Sequence, residues 1–240
     1  MVPARGSAYA LIPIRDHNPT RRLPLVTYLL LGTCVAIFLG QISLGPDGFR
    51  MTIEVWGARP AVLFGLLPTD HPALPPGWVT LFTSMFMHGG WLHLIMNMLF
   101  LFVFANNVED NMTRPRFLVF YLLCGVAAAY AHAALSPTSV IPMVGASGAI
   151  SGVLGAYLLL YPRSRILVLV PLIVIWPLLY LPAGLLLGIW FLLQLVQSVA
   201  LPSDGGGVAF AAHAGGFIAG MILLPFFKRR DARLFNVWNK

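Results

Sequence analysis

Long stretches without a charged side chain constrain this chain more than any other feature. Residues 25–44, 92–105, 117–135, 146–161 and 208–227 each contain no Asp, Glu, Lys or Arg, and residues 166–201 extend the pattern to 36 positions. A helix that crosses a bilayer needs about 20 mostly apolar residues. Only 10% of the chain is charged and 58% is apolar, against about 25% and 45–50% in soluble domains. That leaves too little polar side chain to coat a water-facing surface, and far too many apolar residues for a disordered chain. Cys34 and Cys124 both fall inside apolar runs, which excludes a disulfide framework and a zinc knuckle. The expected fold class is all-α, a polytopic membrane helix bundle.

Six crossings account best for the pattern: 25–44, 92–105 extended back through Gly89-Gly90-Trp91, 117–135, 146–161, 184–201 and 208–227. Residues 166–182, broken by Pro171, Pro177 and Pro182, read as an embedded or surface-lying segment. With both ends in the cytoplasm, 13 basic residues fall inside: Arg5, Arg15, Arg21, Arg22, Arg114, Arg116, Arg163, Arg165, Lys228, Arg229, Arg230, Arg233 and Lys240. Only Arg50 and Arg59 fall outside, a strong positive-inside bias. A seventh crossing would put the basic tail on the wrong side. The net charge of +7 then belongs beside anionic lipid, with no nucleic-acid partner implied. Residues 1–23 form a cytoplasmic tail with no signal-peptide core, 24–227 the membrane domain and 228–240 a basic cytoplasmic tail. The loop 45–89, with Trp56, Phe64, Leu66, Leu67, Trp78 and Phe82, suits a segment half-sunk in the outer interface.

Ionisable and strongly polar groups inside spans are costly, and each is a functional candidate. They are His93 and Asn97 in the second span, His132 in the third, Ser147 at the outer start of the fourth and His213 in the sixth. No carboxylate lies within a span. An aspartyl mechanism, which needs two facing acids, and an H-E-x-x-H metal site are both excluded.

Gly145-Ala146-Ser147-Gly148 opens a helix after a loop containing Pro137 and Pro142. Flanking glycines leave the hydroxyl approachable, and free amides at a helix start suit a developing oxyanion. Alone, this pattern equally describes a helix-packing surface. His213, Gly216 and Gly220 share one helix face, and Gly148, Gly152 and Gly155 form a matching stripe, as close-packed membrane helices require. Their contact would bring His213 to Ser147. Without an intramembrane acid the site would be a Ser-His pair, its imidazole oriented by packing against an aromatic such as Tyr157 or Tyr161. His93 and Asn97, four apart, offer donors for an oxyanion or simply interhelical hydrogen bonds. His88 could cap or orient the loop, and His132 reads as structural or water-exposed.

Taken together, these residues resemble the rhomboid family of intramembrane serine proteases. The resemblance rests on Gly145-Ala146-Ser147-Gly148, on Ala212, His213, Gly216 and Gly220 in an A-H-x-x-G-x-x-x-G run, on His88, His93 and Asn97 in H-x4-H-x3-N, and on six spans in this orientation. Residues 12–19, I-P-I-R-D-H-N-P, also resemble the start of many bacterial members. The similarity covers about 12–227. It implies Ser147 as nucleophile, His213 as general base and then acid, and Asn97, His93 and the Ser147 backbone N–H as oxyanion hole. It implies Gly145 as the glycine that keeps the serine accessible. Implied partners are single-span membrane proteins, cut near the outer end of the span at a small residue in a helix-destabilised stretch, with no cofactor. The implied location is the cell's inner (plasma) membrane, with the site open to the outer side. Two departures stand out: the Trp-Arg pair that some members carry in the first outer loop is missing, which unsettles substrate gating there, and residues 166–182 are longer than in minimal members.

Two other classes compete. A rhomboid-like pseudoprotease that binds transmembrane segments needs neither the serine nor the histidine. A small-solute transporter needs a polar path, and the inner halves of the spans are apolar.

Overall fold

The computed structural model describes residues 11–67, 75–171, 175–200 and 210–235. Arg5 and Lys240 of the charge pattern lie outside them, as do residues 201 and 208–209 of the expected spans. Nine helices occur among the described residues: α1 (Leu25–Ser43), α2 (Gly45–Trp56), α3 (Pro60–Leu63), α4 (Gly77–Thr83), α5 (Trp91–Asp110), α6 (Arg114–Leu135), α7 (Ser147–Leu160), α8 (Ala183–Ala200) and α9 (Phe210–Phe227). Six of these, α1 and α5 to α9, fall on the six expected spans. Four of the six, α1, α5, α6 and α9, are long and apolar enough to cross a membrane by length and composition.

Position in the bundle follows from where the apolar faces lie. In α7 every residue from Gly148 to Tyr157 is buried, so this helix, apolar all round, is the core element. In α1, α6 and α8 one face is exposed and rich in Leu, Ile and Val, as a lipid-facing surface must be. Helix α1 begins with amides that have no partner in their own helix. The Glu109 carboxylate of α5 accepts the Val26 and Thr27 N–H groups at 3.0 and 2.8 Å and the Thr27 hydroxyl at 2.8 Å. The helix start is thereby locked to the end of α5.

Helices α7 and α9 meet backbone to backbone. A Cβ on Gly216 would overlap the Gly148 carbonyl, one on Gly220 the Gly152 carbonyl, and one on Gly155 the Phe217 carbonyl. Both expected glycine stripes therefore face each other. A side chain at any of these positions would force the helices apart.

The proline-broken segment 166–182, expected to be embedded or to lie on the surface, is extended chain where the structure describes it. It forms most of a hairpin, β2 (Arg165–Leu169) against β3 (Leu178–Pro182), and β1 (Ile12–Asp16) adds antiparallel to β2 in the order β1-β2-β3. Prolines forbid a helix here, and Ile166 and Val168, two apart, are fully buried, the period of a strand packed on one face. Residues 12–16 of the segment expected as a tail are thus built into the fold. Beyond β1, Asp16 Oδ2 accepts from Asn107 Nδ2 at 2.5 Å and from the Tyr157 hydroxyl at 2.9 Å, while Asn18 Nδ2 donates to the Tyr157 hydroxyl at 2.7 Å. This network ties the strand to α5 and α7.

The connection between α1 and α5, expected as an interfacial loop, exposes its apolar side chains. Trp56, Phe64, Leu66, Leu67, Trp78 and Phe82 are all exposed, and α2 buries none of its residues. Backbone hydrogen bonds fasten this connection to the loop before α7: Met143 N–H to the Ala58 carbonyl at 2.7 Å, Ala58 N–H back to Met143 at 3.0 Å, and Ala61 N–H to Ser139 at 3.0 Å.

Two measurements test this architecture. Gly220→Val is expected to destabilise the protein by about 3 kcal/mol or more through overpacking, whereas Gly188→Ala, whose Cβ meets nothing within 4 Å, should be neutral or slightly stabilising; thermal unfolding in detergent separates them. Burial pushes the Asp16 carboxyl up from 3.8 to about 6, against the opposing hydrogen bond from Tyr157. Between those values the folded state holds the proton more tightly than the unfolded one, so stability is highest below pH 4 and falls as pH rises to 6. The loss reaches about 3 kcal/mol at most, and Asp16→Asn should abolish it.

Candidate active site

The serine is presented by a loop with little freedom. Gly145 donates its N–H to the Ser84 carbonyl at 2.8 Å and adopts φ +129°, a conformation that favours glycine. A Cβ there would lie 2.7 Å from Cε1 and Nε2 of His93. Space and backbone angle both demand glycine at this position, and the close approach seats the His93 ring beside the serine loop. Ala146 then caps α7 and Ser147 is its first residue, partly exposed, with its amide among the unpaired donors of a helix start.

Across the α7–α9 contact, His213 Nε2 lies 2.9 Å from Ser147 Oγ. The glycine contact sets this distance, because Gly216 of α9 packs on the carbonyl of Gly148, the residue after the serine. The imidazole is not oriented by Tyr157 or Tyr161, contrary to expectation. Those rings lie two and a half to four turns along α7, about 15–21 Å from the serine, where Tyr157 bonds Asp16 and Asn18 and Tyr161 accepts from Asn111 Nδ2 at 2.6 Å. Two residues of α8 take their place. The Gln194 side-chain oxygen sits 2.7 Å from His213 Nδ1, and the Trp190 ring stacks on the imidazole with centroids 5.9 Å apart at 30°. The sequence pattern points to neither. The available signal was a pair of amides, Gln194 and Gln197, inside 36 uncharged residues, where a polar side chain demands a reason.

The remaining polar residues gather on one side. His93 Nδ1 accepts from the Gly89 N–H at 3.4 Å, which leaves the proton of the neutral ring on Nε2, the atom beside Gly145. His88, fully buried, packs its ring edge-on against His93 at 5.2 Å, and its backbone N–H donates to the Gln41 side-chain oxygen at 3.2 Å. Asn97 is buried and donates one amide hydrogen to the His93 carbonyl at 2.8 Å, so one hydrogen is left for another acceptor. His132 lies near the end of α6 within electrostatic range of His213. A cleft opens beside Ser147, walled largely by small residues, among them Ala58, Ala128, Ala129, Gly148 and Ala212.

A hydroxyl bonded to an imidazole, beside unpaired amides and a second ring N–H, is equipped for nucleophilic attack with stabilisation of an oxyanion. A family model described as "Rhomboid domain" matches residues 75–230. The chain is 28% identical over 228 residues to "Rhomboid protein 1, mitochondrial" of Saccharomyces cerevisiae, covering 90% of this chain and 58% of that protein. It is 31% identical over 143 residues to "Rhomboid protease GluP" of Bacillus subtilis, covering 59% and 26%. To "RHOMBOID-like protein 4" of Arabidopsis thaliana it is 29% identical over 208 residues, covering 80% and 44%. The chain therefore spans from about a quarter to under two thirds of the length of these relatives.

Gly145→Ala tests the presentation of the serine. Backbone strain costs about 1–3 kcal/mol, and the added methyl displaces His93. The rate at which a fluorophosphonate modifies Ser147 is expected to fall by roughly tenfold to a hundredfold, with the thermal midpoint nearly unchanged.

Proposed function

Because the chain belongs to the rhomboid family, whose bundle this multi-pass membrane protein shares, we propose that it is an intramembrane serine endopeptidase. It cuts transmembrane segments of single-span membrane proteins near their outer end. The observation that carries this reading is the 2.9 Å contact between His213 Nε2 and Ser147 Oγ. A pure binder of transmembrane segments has no use for that contact.

The chemistry runs as acyl transfer. Ser147 Oγ attacks the scissile carbonyl carbon while its proton passes to His213 Nε2, and the carbonyl oxygen becomes an oxyanion held by the Ser147 amide, His93 Nε2–H and the free hydrogen of Asn97. Collapse breaks the C–N bond, and His213 gives its proton to the leaving amine. Water then attacks the acyl-serine by the same route in reverse, releasing a carboxylate and restoring the hydroxyl. The substrate helix must unwind locally, since a helical carbonyl is already bonded within its own chain. The narrow cleft beside Ser147 favours a small residue at the cut.

Depth follows from length. Helix α7 has 14 residues and rises about 21 Å, against a hydrocarbon thickness of about 30 Å. Arg163 and Arg165 follow its far end and belong at the inner boundary, so Ser147 lies roughly 10 Å below the opposite one. The bias of basic residues supports a placement with both termini in the cytoplasm and the site toward the outer side of the inner (plasma) membrane. Water reaches a hydroxyl at that depth from outside, while the surrounding helices screen lipid.

In detergent, a fluorophosphonate is expected to label the wild type at one site, not to label Ser147→Ala, and to label His213→Ala at least about a thousandfold more slowly. Asn97→Ala should lower kcat for a transmembrane test substrate by about 10²–10³ without abolishing cleavage. Cleavage by Ser147→Ala at the wild-type rate would end this reading; retained binding of the test span with no cleavage by wild type would favour the pseudoprotease.

A further inference from the structure

We infer that Gln194 is a positioning residue for the proposed reaction: its side-chain carbonyl accepts the His213 Nδ1 proton and so keeps Nε2 free to take the proton of Ser147. This rests on the serine-protease reading and adds a third, uncharged member to the pair.

A base that accepts from Ser147 through Nε2 must carry its own proton on Nδ1. Left without an acceptor, a buried ring N–H is costly, and the imidazole gains by turning over or by moving its proton to Nε2, which removes the base. The Gln194 oxygen at 2.7 Å supplies that acceptor. Its oxygen, not its nitrogen, must face the ring, because an amide NH₂ would oppose Nδ1–H.

The setting of Gln194 supports a dedicated role. Its neighbours Leu192, Leu193, Leu195 and Val196 are all exposed on the outer face of α8, while Gln194 is buried. Trp190 lies one turn earlier on the same helix face and stacks on the same ring. One residue thus fixes the plane of the imidazole and the other its proton. Among the described residues His213 has no carboxylate partner, and a buried ionised acid in this position would carry a desolvation cost that a neutral amide avoids. Both groups reside on α8 while the serine and histidine reside on α7 and α9. The seating of α8 against α9 and the protonation pattern of the base are consequently one structural variable.

The test compares wild type with Gln194→Met, which keeps the length and apolar stem but has no acceptor, and with Gln194→Glu, which keeps the acceptor. For Met the expected result is a fall in kcat of about 10- to 100-fold, with KM within twofold and the thermal midpoint within a few degrees. For Glu, most of the rate returns. The ¹⁵N shifts of His213, assigned against His213→Ala, should show the Nδ1–H tautomer in wild type and loss of that tautomer in Gln194→Met. If Met cleaves at the wild-type rate, or the wild-type ring carries its proton on Nε2, the inference is overturned. Should wild type neither cleave nor react with the fluorophosphonate, the protease reading fails, and the ¹⁵N measurement alone still decides the role of Gln194.

Discussion

Direct backbone contact between α7 and α9 is the constraint on which the rest of this molecule depends. Glycines at 152, 155, 216 and 220 leave no side chain between the two helices, and in a bilayer, where apolar burial gives no preference for helix over lipid, close packing of this kind supplies much of the association. It also sets the distance from His213 to Ser147, because the histidine precedes one stripe and the serine precedes the other. Stability and site geometry therefore draw on the same atoms.

Helix α7 is held at both of its ends. At the serine end the preceding loop is stitched to the connection between α1 and α5 through Ala58, Met143 and the Ser84 carbonyl. At the other end Tyr157 and Tyr161 join Asp16, Asn18 and Asn111, so a strand formed near the chain's start reaches the core helix. A short helix fixed at both ends has little freedom to slide, which is what a hydroxyl needs if an imidazole on another helix is to meet it at 2.9 Å.

The site also economises on charge. Its polar groups are a hydroxyl, imidazoles, amides and backbone N–H groups, all neutral at rest, whereas ionised groups carry a heavy desolvation cost inside a bundle. An amide at Gln194 in the position where a soluble hydrolase would carry a carboxylate fits that economy.

Much of this was legible along the chain because membranes make one-dimensional demands. Length, apolarity and basic flanks locate a span without reference to any other span, so α1 and α5 to α9 could be read segment by segment. The glycine stripes with Ser147 and His213 were readable because a helix face repeats at a known period. The sheet was not readable: β1 and β2 lie about 150 residues apart, and nothing in residues 166–182 names a partner near the start of the chain. Nor was the partner of His213. Tyr157 and Tyr161 share α7 with the serine and were the natural candidates, but only the packing of α8 against α9 could bring Trp190 and Gln194 to the ring. Local pattern thus determined which segments span and which faces are small; which side chains meet was decided by tertiary structure, since a hydrogen bond between helices depends on rotation and depth that no single helix encodes.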